Sequence, residues 1–153
     1  MVTLLLDSTR LEVALSGTER ALSFRKGNVF VDRPFITKVQ LVDDAWTWLR
    51  GVASPGTYIR GAVAMGTWKS AGANDFVLIR RRRPAVVIDL DGDPEFARIV
   101  LTTRHGLALV QALRLDDARA QATDVAELAA EAEPVTAPPP RKKRAPRTAP
   151  ATA

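Results

Sequence analysis

Residues Thr57 to Leu90 read TYIRGAVAMGTWKSAGANDFVLIRRRRPAVVIDL, and this stretch decides the fold. Val63, Met65 and Thr67 alternate with Ala64, Gly66 and Trp68, the period of a strand with two unlike faces. Ser70 to Asp75 is a loop of small and polar residues. Phe76 to Ile79 is apolar and is broken by Arg80-Arg81-Arg82-Arg83-Pro84. Ala85 to Leu90 is a second β-branched run, with Val86, Ile88 and Leu90 on one face. Short apolar runs bounded by Gly, Pro, Asn and Asp predict three consecutive antiparallel strands joined by two turns.

Working outward, the same alternation predicts strands over Thr3–Leu6, Leu11–Leu15, Val29–Asp32 and Ile36–Val42. Thr18 is placed to cap a short helical turn ending at Phe24. Asp43-Asp44 can cap a helical segment over Ala45–Leu49, and Gly51 to Gly56 reads as a loop. After the turn Asp91-Gly92-Asp93-Pro94, Phe96 to Thr102 reads as a last strand. The period then changes: Leu107, Leu109, Val110, Leu113 and Leu115 recur at helical spacing, with Thr102 or Thr103 as the cap. Leu109, Val110 and Leu113 are expected to pack on the strands that carry Val13, Val86, Ile88, Ile99 and Leu101.

The net charge of +5 resolves into blocks. Residues 1–115 hold 16 basic against 11 acidic residues. Residues 116–133 set Arg119 against Asp116, Asp117, Asp124, Glu127, Glu131 and Glu133. Residues 134–153 carry Arg141, Lys142, Lys143, Arg144 and Arg147 with no acid. This pattern predicts a domain over 1–115, an acidic Ala-rich linker or frayed helix over 116–133, and a disordered Pro-rich basic tail over 134–153. The first residues meet Asp7 after a short apolar run without a basic region, which is unlike a signal peptide. No run approaches the roughly 20 apolar residues of a membrane-spanning helix, so a cytoplasmic setting is expected.

Seven or eight short strands followed by one amphipathic helix make an α+β, mainly β chain. A small sheet of this kind must close or be covered, and a C-terminal helix supplies the cover. The elements LRG, PGTYIRGAVAMGTW and DFVLIRRRRPAVVIDL, taken from Leu49 to Leu90, resemble those of small actinobacterial proteins with a bacterial pleckstrin-homology-like domain. The resemblance covers residues 1–115. It implies a bent antiparallel β-barrel of about seven strands capped by the C-terminal helix, and it brings no catalytic site with it. Eukaryotic members of this superfold bind inositol phosphates through a basic cluster between the first two strands. That loop is Asp7-Ser8-Thr9-Arg10 here, with a single base, so phosphoinositide binding is not expected.

Absence of Cys removes thiol nucleophiles and Cys-based zinc sites, and the single His105 removes multi-His metal clusters. Asp89 to Asp93 has its glycine fourth rather than sixth for a calcium loop and reads as a turn. No metal, cofactor or enzymatic activity is expected. Arg80, Arg81, Arg82 and Arg83 form either an anion site or a solvated strand end with stems laid on apolar surface. Trp46, Trp48 and Trp68, with Tyr58, form either a partner-binding patch or a satellite core. Arg141, Lys142, Lys143, Arg144 and Arg147 suit non-specific contact with anionic lipid or nucleic acid. The expected function is a non-catalytic binding module with a protein partner. The alternative is association with nucleic acid or an anionic membrane through Arg80–Arg83 and the basic tail.

Overall fold

The computed structural model describes residues 2–114. The expected acidic linker and basic tail lie outside them. Among the described residues nine strands form two sheets. The smaller contains β1 (Thr3–Leu6), β2 (Arg10–Ala14) and β3 (Val29–Asp32) in that order, all antiparallel. The larger contains β4 (Ile36–Val42), β5 (Val52–Ile59), β6 (Val63–Ser70), β7 (Ala73–Arg80), β8 (Ala85–Leu90) and β9 (Arg98–Thr102). Their spatial order is β4-β8-β9-β7-β6-β5. A short helix α1 (Gly17–Ser23) precedes β3, and a second helix, α2, occupies residues 106–114.

One core lies between the sheets. Leu11, Val13, Val29 and Val31 from the small sheet meet Met65, Phe76, Leu78, Val86, Ile88, Ile99 and Leu101 from the large one. Leu109, Val110 and Leu113 of α2 join them. The helix therefore closes the core with the residues its spacing predicts. Leu107 points elsewhere and is exposed.

The large sheet is buried on its other face as well. Ala64, Trp68, Val77, Ile79, Ala85, Val87 and Val100 form a second core, and Ala45, Trp46, Trp48 and Leu49 pack on it. This is why Phe76–Ile79, Ala85–Ile88 and Ile99–Leu101 are unbroken apolar runs rather than alternating ones: both sides of these central strands are dry.

Four expectations are corrected. Ser70 to Asp75 is not a loop: β6 ends at Ser70 and β7 begins at Ala73, which leaves Ala71-Gly72 as the turn. The stretch from Thr57 to Leu90 spans four strands, because Arg60-Gly61-Ala62 turns the chain between β5 and β6. Gly51 to Gly56 is mostly strand: β5 starts at Val52 and keeps Pro55 by running along the sheet edge, with an irregularity between Ala53 and Gly56. The pairing is also not antiparallel throughout. β9 inserts between β7 and β8 and runs parallel to β7, with Phe76 opposite Ile99 and Leu78 opposite Leu101. A smaller difference concerns α1, whose cap is Ser16, two residues before Thr18.

Candidate functional site

The arginine turn sits where β7 and β8 flank the end of β9. Arg80 closes β7, and Ala85, opposite Thr102 of β9, opens β8. Between them Arg81 adopts a left-handed backbone, φ 54°, which a residue with a Cβ enters at a cost of roughly 1–2 kcal/mol. Two main-chain contacts hold it there. Its N–H donates to the Ala62 carbonyl at 2.7 Å, and its carbonyl accepts from the Trp46 indole Nε1–H at 3.0 Å. The turn is thus pinned from the β5–β6 connection and from the segment after β4. Arg81, Arg82 and Arg83 are exposed, and none has an ion-pair partner among the described residues.

The pinned turn sends its side chains to two cavities. Arg80 and Arg83 line one of about 500 Å³, together with Arg104 from the segment before α2. Val2, Leu41, Leu78 and Leu107 give it apolar walls, and Glu19 contributes a carboxylate. Glu19 is fully buried at the third position of α1. Its Oε2 accepts the Ser16 N–H at 2.9 Å, while the Ser16 hydroxyl accepts the Glu19 N–H, a reciprocal cap. Its Oε1 lies 3.1 Å from Arg80 Nη2. Burial alone raises the carboxyl. The Ser16 hydrogen bonds and the Arg80 charge act against it, and the group ends below the usual carboxylate range. A charged Glu19 therefore faces one edge of the Arg80 guanidinium as its ion-pair partner.

Arg82 lines the other cavity, of about 380 Å³, with Trp46, Tyr58 and Arg60. Trp46 and Tyr58 meet edge to face at 6.0 Å between ring centres, and Tyr58 and Trp68 do so at 6.4 Å. Trp68 is buried in the second core, and Trp48 lies under the Arg98 guanidinium at 5.2 Å. The three tryptophans therefore come together mainly to cover the large sheet, and Tyr58 is the ring left most exposed beside the turn. Arg141, Lys142, Lys143, Arg144 and Arg147 lie outside the described residues.

Sequence reading missed Arg60, Arg104 and Glu19. Ser16-Gly17-Thr18-Glu19 carries the capping-box pattern that could have placed Glu19 at a helix start. Nothing local to Arg60 or Arg104 marks it, because tertiary packing brings each to its cavity. His105 is exposed, and no group of three or more His, Cys, Asp or Glu side chains suited to a metal occurs among the described residues. Asp93 is occupied within its turn, where its Oδ1 accepts the N–H groups of Glu95 and Phe96. Among the described residues no helix is long and apolar enough to cross a membrane. Comparison with protein-family models, with curated proteins and with solved structures returns no match. The chemistry this arrangement offers is the holding of negative charge by guanidinium groups on a fixed turn.

Proposed function

We propose that this chain is a non-catalytic binding module of the bacterial pleckstrin-homology-like type that presents its arginine turn to an acidic surface of a protein partner. The observation that carries the reading is the pairing of exposed charge with a fixed backbone. Arg81, Arg82 and Arg83 reach solvent without acidic partners among the described residues, while hydrogen bonds from Ala62 and Trp46 hold the main chain beneath them. A preorganised turn loses little backbone freedom on binding. The pleckstrin-homology-like part of the reading rests on the closing of the core between the two sheets by α2, and the parallel β7–β9 pair departs from an all-antiparallel barrel. The proposed setting is the cytoplasm, including the inner face of the membrane where a basic tail would meet anionic lipid.

A photocrosslinking side chain placed at position 82 of the full chain, in its native cells, tests this. Protein adducts that disappear when Arg81 and Arg83 are changed to Glu are expected. A capture pattern equal to that from exposed Phe30, on the other sheet, counts against the reading.

A second reading rests on the smaller cavity, where Trp46 and Tyr58 stand beside Arg60 and Arg82. Aromatic faces next to guanidinium groups suit stacked bases and phosphates of single-stranded nucleic acid. Crosslinks from position 82 to nucleic acid instead of protein would favour it, and such binding should weaken steeply between low and physiological salt.

A further inference from the structure

We infer that the larger cavity beside the arginine turn is a site for a small amphipathic anion, an apolar body carrying one carboxylate or phosphate. The inference rests on the reading of the turn as a binding element and names a ligand class for its inward side. The cavity of about 500 Å³ falls within the roughly 300–1,000 Å³ of small-molecule sites. Its charges do not cancel. Glu19 Oε1 faces the Arg80 guanidinium at 3.1 Å, and Arg83 and Arg104 have no acidic partner among the described residues. Arg80 Nε is itself buried with no hydrogen-bond partner. A buried donor of this kind is costly until an acceptor reaches it.

The rest of the wall sets the other half of the chemistry. Leu41 and Leu107 are exposed to the cavity mouth, and Leu78 closes it from the core side. Gly106 brings the start of α2 into close contact. A Cβ there would lie 2.8 Å from Val86 Cγ2 and 2.9 Å from Leu41 Cδ1, so glycine leaves the Leu41 wall in place. Thr102 and Thr103 use their hydroxyl oxygens to accept the N–H groups of Arg80 and His105, which leaves both O–H groups as donors. Apolar walls, three guanidinium groups and two hydroxyl donors fit a hydrocarbon body with an oxyanion head. Among the described residues no aromatic ring lines this cavity, which sets it apart from a base-stacking site.

Titration of the full chain with decanoate, decyl phosphate and decanol, followed by methyl NMR and calorimetry, tests the inference. One of the two anions should bind saturably at one site and shift the Leu41, Leu78 and Leu107 methyls, and the tighter one identifies the head group. The exposed-residue variant Arg83→Ala/Arg104→Ala should weaken that binding at least tenfold. Leu107→Trp should block it without lowering the melting temperature. Decanol binding as tightly as the anions, indifference to the double variant, or no shift of these methyls would each overturn the inference. Crosslinking at position 82 reports the outer surface, so Leu107→Trp should leave it unchanged. Failure of the cavity and failure of the turn are thereby told apart.

Discussion

Arg50 grips Asp75 with two parallel hydrogen bonds, Nε to Oδ2 at 2.8 Å and Nη2 to Oδ1 at 2.7 Å. The carboxylate is buried on β7, while the guanidinium is partly in water. Hydrogen bonding to Asp75 is the main cause of the raised Arg50 pKa, and burial opposes it. Arg50→Ala strands a buried carboxylate and should cost about 1–3 kcal/mol. The exposure of Arg50 keeps the effect below that of a fully buried pair. Adding Asp75→Asn should recover part of the loss. Urea melts of the two variants check this, and equal stability of Arg50→Ala and wild type would refute it.

Glu19 should make stability depend on acid. Its folded pKa lies below the ordinary value of 4.5. The stabilisation is therefore present above about that pH and lost as pH falls through the folded value. Glu19→Gln should be less stable than wild type at pH 7, with the gap narrowing toward pH 3. Denaturant midpoints across that range provide the measurement, and a constant gap would contradict the assignment.

The helix that closes the core should be indispensable to it. Leu113 is almost fully buried alongside Leu109 and Val110. Leu113→Ala should cost about 2–5 kcal/mol, a large share of the stability of a domain this size. Thermal melting decides it, and an unchanged melting temperature would mean that α2 does not close the core.

Two glycines in positive-φ backbone should respond differently to a methyl group. Gly66 pairs with Gly56 across β6 and β5 and has φ 132°. A Cβ on it would land against the Pro55 carbonyl oxygen and 2.5 Å from Gly56 Cα. Gly66→Ala should cost about 3 kcal/mol or more, combining backbone strain with a main-chain clash. Gly72, φ 78°, faces open space, and Gly72→Ala should cost only about 1 kcal/mol. Comparable losses from both would show that the close approach of β5 and β6 is not what requires glycine.

Much of this architecture is legible locally. The bounds predicted for β1, β3 and β4 coincide with those observed, because each carries apolar residues between polar or proline stops. The helical face of α2 is legible for the same reason. The front half of β5 is not, since Pro55 between Gly51 and Gly56 is the signature of a loop until its edge position is known. The place of β9 is not legible either. Ile99-Val100-Leu101 says that both faces are covered, and says nothing of which strands lie beside it. At the site, Arg80–Arg83 is visible as a charge run, whereas its division between two cavities follows from the Arg81 backbone and the partners Ala62 and Trp46.

The insertion of β9 also bears on how a growing chain acquires its shape. β7 and β8 are made before β9, yet they are not neighbours. Until residues 98–102 leave the ribosome, the large sheet has a gap one strand wide between two of its most apolar strands. Neither half can settle against the small sheet as a finished surface, and α2 follows only after the gap is filled. The domain is thus committed to late, all-at-once closure from long-range pairings, the regime in which folding is slow and an incomplete chain is prone to aggregate. Nascent chains halted before Arg98 should accordingly remain protease-sensitive, whereas chains long enough to bring residue 114 out of the ribosome should be protected over residues 2–114.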